Sequence, residues 1–259
     1  MRPCHGMDGL HGRHGVVIHN LILVRYNMAA PKQWLAGRAV NLDNSWLSGR
    51  ERLYFDYCLP SLRRQVADGF KVLLFVDERT PTDLISRLRS DDFVYPIFTT
   101  EKIDSSEDML KEIVDKTAEF LEKDRCFQSD NGTKILATTR LDSDDALSPD
   151  YINLANTAYI DQECGKEIYV YFPIGQQYIE SSEEYLEFVY PGNAFGTLFE
   201  PITDRSIKTV MHVQHTKLIK NHKSVSVGSS DPHWSMIIHD GNVLNKRRGH
   251  ASGANFFKM

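Results

Sequence analysis

The sequence predicts an α/β fold: a mostly parallel central sheet flanked by helices, in one compact domain. Short β-branched, apolar runs recur along the first 165 residues, each bounded by turn residues and too short for a buried helix. Stretches with apolar side chains at three- and four-residue steps separate these runs. Strands that alternate with helices build a parallel sheet covered on both faces. With 259 residues, 41% of them hydrophobic, the chain is long enough to bury such a core.

Each element has its own signal. Residues 1–15, MRPCHGMDGLHGRHG, hold three histidines among glycines without periodicity and read as a disordered leader. VVIHNLILVRY at 16–26 is the first buried strand. SGRERLYFDYCLPSLRRQ at 48–65 is helical, with Pro60 expected to kink or split it. KVLLFVDE at 71–78 is a second strand ending in acids, and Pro81 and Thr82 open a short helix. FVYPIFT around Val94 is a third, weaker strand. The helix at 105–123 carries Met109, Leu110, Ile113, Val114, Thr117, Phe120 and Leu121 as one apolar stripe, capped by Ser105 or Ser106. KILATTRL at 134–141 is the fourth strand. Ser148 and Pro149 suit the N-cap and N1 positions of a helix running through Ile160. Beyond Glu167 the pattern changes: EIYVYFP and the segments near Phe195 and Val210 read as strands with turns and short helices between. The change divides the domain into halves at about 16–165 and 166–259.

Composition excludes several classes. The net charge of −5 lacks the basic stripe that a nucleic-acid partner requires. No apolar run approaches the ~20 residues that span a bilayer, and no apolar core follows the basic start as in a signal peptide. Cys4, Cys58, Cys126 and Cys164 form no C-x-x-C pair and read as reduced thiols of a cytoplasmic protein.

The chemistry concentrates in TTRLDSDDALSPDY, where Asp142, Asp144 and Asp145 crowd the end of the fourth strand. Like charges so close repel and resist desolvation, so a compensating cation is expected. Ligands of open parallel sheets bind beyond the carboxyl ends of the strands. Asp77 ends the second strand and Arg25 the first, so three strand ends bring charge to one edge. Oxygen ligands suit Mg²⁺ or Mn²⁺ shared with a diphosphate. The plainer reading is an acidic turn capping a helix, which needs only one acid.

LILVRYN, LPSLRRQ, FVDERTP and TTRLDSDDALSPDYI, followed by YPGNAFGTLFEP, TVMHVQHTKL and HWSMIIHDGNVLN, resemble GT-A-fold glycosyltransferases, most of all the bacterial rhamnosyltransferase family. The resemblance runs from about Val16 to Asn245. It implies a metal-dependent transfer of a sugar, such as rhamnose, from a nucleotide-sugar donor to a hydroxyl of a glycan or glycolipid acceptor. Asp142 and Asp144 match the D-x-D that binds the metal and donor, with Asp145 the extra acid after it. Arg25, Asp77 and Arg140 would shape the nucleotide pocket. His239 would complete the metal set, with His215 as runner-up. Asp231 in SSDPHW is the tentative base, at a position that also suits an N-cap, while Asp240 and Glu200 stay open. Aromatics between Tyr169 and Pro191 would form an acceptor platform or simply core. The basic run Lys246, Arg247, Arg248 suits a solvated tail or peripheral contact with a membrane surface. Two other functions fit the same residues: a sugar nucleotidyltransferase, and a non-catalytic glycan- or protein-binding module.

Overall fold

The computed structural model describes residues 16–29, 42–100, 103–124, 133–162, 165–202, 206–240 and 247–251. The expected leader, Cys4, Cys126, Cys164 and Lys246 lie outside them.

In chain order the elements begin with strand β1 (Val16–Arg25), then α1 (Asn44–Leu53), a π-helical turn (Tyr54–Cys58) and α2 (Leu59–Arg63). Then follow β2 (Lys71–Asp77), α3 (Thr82–Leu88), β3 (Val94–Thr99), α4 (Ser106–Lys123) and β4 (Thr133–Asp142). The remainder is β5 (Ala146–Leu147), α5 (Tyr151–Ile160), β6 (Ile168–Tyr171), β7 (Ile174–Ile179), β8 (Glu184–Val189), β9 (Gly196–Pro201), α6 (His215–Asn221), β10 (Ser224–Ser226), β11 (Trp234–Ile238) and β12 (His250–Ala251).

Among the described residues seven strands form one sheet in the order β10-β6-β9-β4-β1-β2-β3. Strands β4, β1, β2 and β3 run parallel, with Arg25 opposite Asp142 across the β1–β4 ladder. Strand β9 is antiparallel to both β4 and β6. The parallel core matches the expected α/β class. Alternation along its strands splits the interior in two. Ile22, Val24, Leu74 and Val76 pack on one side with Tyr54, Leu59 and Leu62 of the α1–α2 run. Leu21, Leu23, Leu73 and Phe75 pack on the other with Met109, Ile113 and Leu121 of α4. Fully burying one such side chain is worth about 2 kcal/mol.

A second sheet has the order β12-β8-β7-β11-β5. Its two-residue strand β5 starts three residues after β4 ends and pairs antiparallel with β11, Trp234 facing Leu147. Trp234 is buried, stacks on Phe195 at 4.7 Å between centroids and donates from Nε1 to Phe172 O at 2.9 Å. Gly175 lets this ring in, since a Cβ there would lie 2.1 Å from it.

Local chemistry explains where helices start and bend. Asp43 Oδ1 accepts from the N–H groups of Ser45 and Trp46, each at 3.0 Å, and caps α1. Ser105 and Asp108 form a capping box at α4. Pro60 does not split the expected 48–65 helix. The Leu59 N–H reaches back five residues to Tyr54 O, and this π turn fits the missing proline donor into one continuous run.

Three expectations are corrected. The helix after the acidic motif starts at Tyr151, because Ser148 Oγ is engaged with Asp150 at 2.7 Å and His233 at 3.2 Å, and residues 148–150 form a turn. Val210 lies in a turn where Thr209 has φ +65°, held because Glu200 accepts from the N–H groups of Lys208 and Thr209, each at 2.8 Å. Asp231 starts no helix; β11 follows it, led by the Ser148 N–H···O His233 bond of 2.9 Å. The two halves drawn at residue 166 share one sheet, since β6, β9 and β10 complete it beside β4. Among the described residues no helix is long and apolar enough to cross a membrane.

Candidate active site

Arg25 and Asp142 end neighbouring parallel strands at the same level, so their side chains meet by register alone. Arg25 Nε and Nη2 donate to Asp142 Oδ1 at 3.0 and 2.6 Å, while Arg140 Nη2 lies 3.4 Å from Oδ2. Burial opposes ionisation of Asp142, but the two guanidiniums outweigh it and hold the carboxyl well below the usual range. His215, at the first position of α6, faces the same arginine, Nδ1 at 3.2 Å from Arg140 Nη1. Burial, reinforced by the Arg140 charge, lowers its pKa to about 4, so it is neutral at pH 7.

Asp144 has a second set of partners. Arg50 Nη1 of α1 lies 2.9 Å from Oδ1, and His239 Nε2 lies 3.1 Å from Oδ2. Burial disfavours its charge, but Arg50 and His239 hold the carboxyl below the usual range. Asp145 points differently: its Oδ1 accepts from Ile237 N–H at 3.1 Å, pinning the acidic turn to β11. Burial and then the charges of Asp144 and Asp142 push this carboxyl well above the usual carboxylate range.

The structure therefore brings Arg25, Arg140, Asp142, Asp144, Asp145 and His239 together, and His215 with them. Asp77 ends β2 at the same edge, fully buried, its carboxylate taken by Arg79 Nε at 2.9 Å and Nη2 at 2.8 Å. Asp231 is not brought in. It is exposed and precedes β11, whereas His239 follows that strand's other end. Both oxygens of Glu200 are bound by backbone N–H groups. Arg50 was not expected here; its place in an arginine-rich helix reads as solvent-facing, and only the packing of α1 reveals its carboxylate.

One pair of side chains carries donor atoms of metal-ligand type, a carboxylate oxygen and an imidazole nitrogen. Asp144 Oδ2 and His239 Nε2 converge, a carboxylate and an imidazole of the kind Mn²⁺ accepts. Asp142 instead faces the guanidiniums of Arg25 and Arg140. Among the described residues no three His, Cys, Asp or Glu side chains surround a common point.

No curated protein matches the chain. Among solved structures it is similar to S. aureus TarS 1-349, at 12% identity and a TM-score of 0.44, covering 85% of this chain and 60% of that one. A second, TarS 1-349 in complex with UDP, gives 11% identity and a TM-score of 0.44, covering 86% and 61%. A longer S. aureus TarS gives 12% and 0.40, with 85% of this chain matched to 37% of its own length. The chain thus spans about three fifths of the TarS 1-349 chains. The family model described as "Putative rhamnosyl transferase" matches residues 23–251, from the strand that ends in Arg25 to the last described residue, and the chain belongs to that family.

Proposed function

We propose that the protein is a glycosyltransferase that moves a sugar, rhamnose by its family description, from a nucleotide-sugar donor to a hydroxyl of a glycan. One observation carries the reading. Asp142 and Asp144, two residues apart, meet three arginines and His239, with His215 bonded to one of those arginines, at the carboxyl edge of the parallel strands.

The residues divide the work. Arg25 and Arg140 present positive charge where a diphosphate leaving group would collect negative charge, and a preorganised donor there stabilises departure without reorganising. Neutral His215 accepts from Arg140 and holds it in place. Asp142 keeps both arginines fixed until a ligand competes for them. Asp144 and His239 would hold Mn²⁺ or Mg²⁺ from one side, with Arg50 fixing the carboxylate. When bound, the cation neutralises diphosphate charge and acts as a Lewis acid on the departing oxygen. Asp77 and Arg79 border the place for the ribose or base.

The test is a thermal-shift screen of nucleoside diphosphates and nucleotide sugars, UDP among them, with and without Mn²⁺. Wild type should melt about 5 °C higher with one nucleotide family and metal, by mass action on the native state. Asp144→Asn should fold and lose the metal-dependent part. A screen without any shift would overturn the reading.

A further inference from the structure

Beyond the acidic turn, where β7 of the second sheet ends beside β11, lies a second cluster that the donor chemistry does not use. The N–H of Glu180, which follows β7, donates to Ile238 O at 3.0 Å and so sets its side chain beside His239. Its carboxylate binds Arg52 through both terminal nitrogens, Nη1 and Nη2, the latter at 2.9 Å, and accepts from the Tyr57 hydroxyl at 3.0 Å. Tyr57 belongs to the π-helical turn. Its ring lies 5.8 Å from that of Tyr178, which lies 4.9 Å from Tyr185 across the β7–β8 ladder. All three tyrosines are half-buried, unlike the sealed rings of Tyr169 and Phe172.

We propose that the Tyr57–Tyr178–Tyr185 face, edged by Glu180 and Arg52, binds the acceptor carbohydrate. A pyranose ring offers an apolar C–H face to an aromatic surface, while its hydroxyls need polar partners at the rim. Here one carboxylate accepts and one guanidinium donates, a pairing suited to adjacent hydroxyls. Position fits as well. Asp144 meets His239, Glu180 bonds the backbone of the residue before His239, and Tyr57 donates to Glu180, so a sugar on the tyrosines lies next to the place assigned to the donor. The acceptor role rests on the transferase reading; carbohydrate binding by this face does not.

The experiment is ligand-observed saturation-transfer NMR with methyl glycosides of common hexoses, with uridine as a comparison. The proteins are wild type, Tyr178→Ala, Tyr185→Ala and Glu180→Gln, each checked for a native melting curve. At least one glycoside should receive saturation from wild type, with its titrated dissociation constant weakened about tenfold in Glu180→Gln through the lost charged hydrogen bond. Tyr178→Ala or Tyr185→Ala, whichever retains the fold, should lose the signal. No transfer to any glycoside, transfer that survives the tyrosine variants, or transfer to uridine alone would overturn the proposal. Nucleotide melting shifts in the same proteins separate the two claims. Glycoside binding without any nucleotide shift would remove the transferase and leave the carbohydrate site. A nucleotide shift without glycoside binding would do the reverse.

Discussion

Arg50 and Arg52 stand two residues apart on α1, and each neutralises a carboxylate at the end of a strand, Asp144 for one and Glu180 for the other. Their surroundings separate their energetic roles. Arg50 and Asp144 expose only 17% and 11% of their side chains, so removing the guanidinium strands a buried charge. Arg50→Ala should cost about 3 kcal/mol in urea-denaturation stability. Arg52, 48% exposed, makes a solvent-screened pair, and Arg52→Ala should cost about 0.5 kcal/mol in the same assay. Neither role was legible in SGRERLYFDYC, where an arginine in an amphipathic helix reads as solvated surface. The aspartates were legible because three acids in four positions is costly wherever it occurs. What pairs with them is a property of packing.

The elements of the parallel sheet were legible because each signal was local. The apolar runs of β1, β2 and β4 needed no partner to be recognised, and the α4 stripe came with its own cap. Ser105→Ala should cost about 1 kcal/mol in thermal unfolding by removing the acceptor of the Asp108 N–H. The second sheet was not legible. A two-residue strand such as β5 has no periodicity of its own, and β7 interrupts its alternation with Gly175 and two buried glutamines. Gly175 there is a packing requirement. Trp234, held by Phe195 and Phe172, cannot retreat from an added methyl, so Gly175→Ala should lower stability by about 2 kcal/mol in urea denaturation.

For the whole molecule, pH acts through buried histidines. His215, depressed to about 4 by burial and Arg140, resists protonation in the folded chain, whereas the unfolded chain takes up the proton near pH 6.5. Its stabilising contribution is complete above pH 6.5 and is lost as pH falls toward 4, up to about 3 kcal/mol. His212 and His233, also depressed by burial, add to the decline in the same direction. Asp145 and Glu200, pushed up by burial, act in the opposite direction, so the histidine part is read as a difference: in urea, His215→Gln should lose less stability than wild type between pH 7 and pH 4.

The acidic turn is also the stitch between two sheets, since β4 belongs to one, β5 to the other, and only residues 143–145 lie between. Asp145 N–H bonds Asp142 O at 3.0 Å, and Ile237 N–H bonds the Asp145 carboxylate at 3.1 Å. Neither bond can open by fraying at an end, because both sheets must part first. The amides of Asp145 and Ile237 should then exchange with deuterium as slowly as those of Leu23 and Leu74, in the most protected class that only global opening releases. By this measure the acidic turn is among the last structures the molecule gives up.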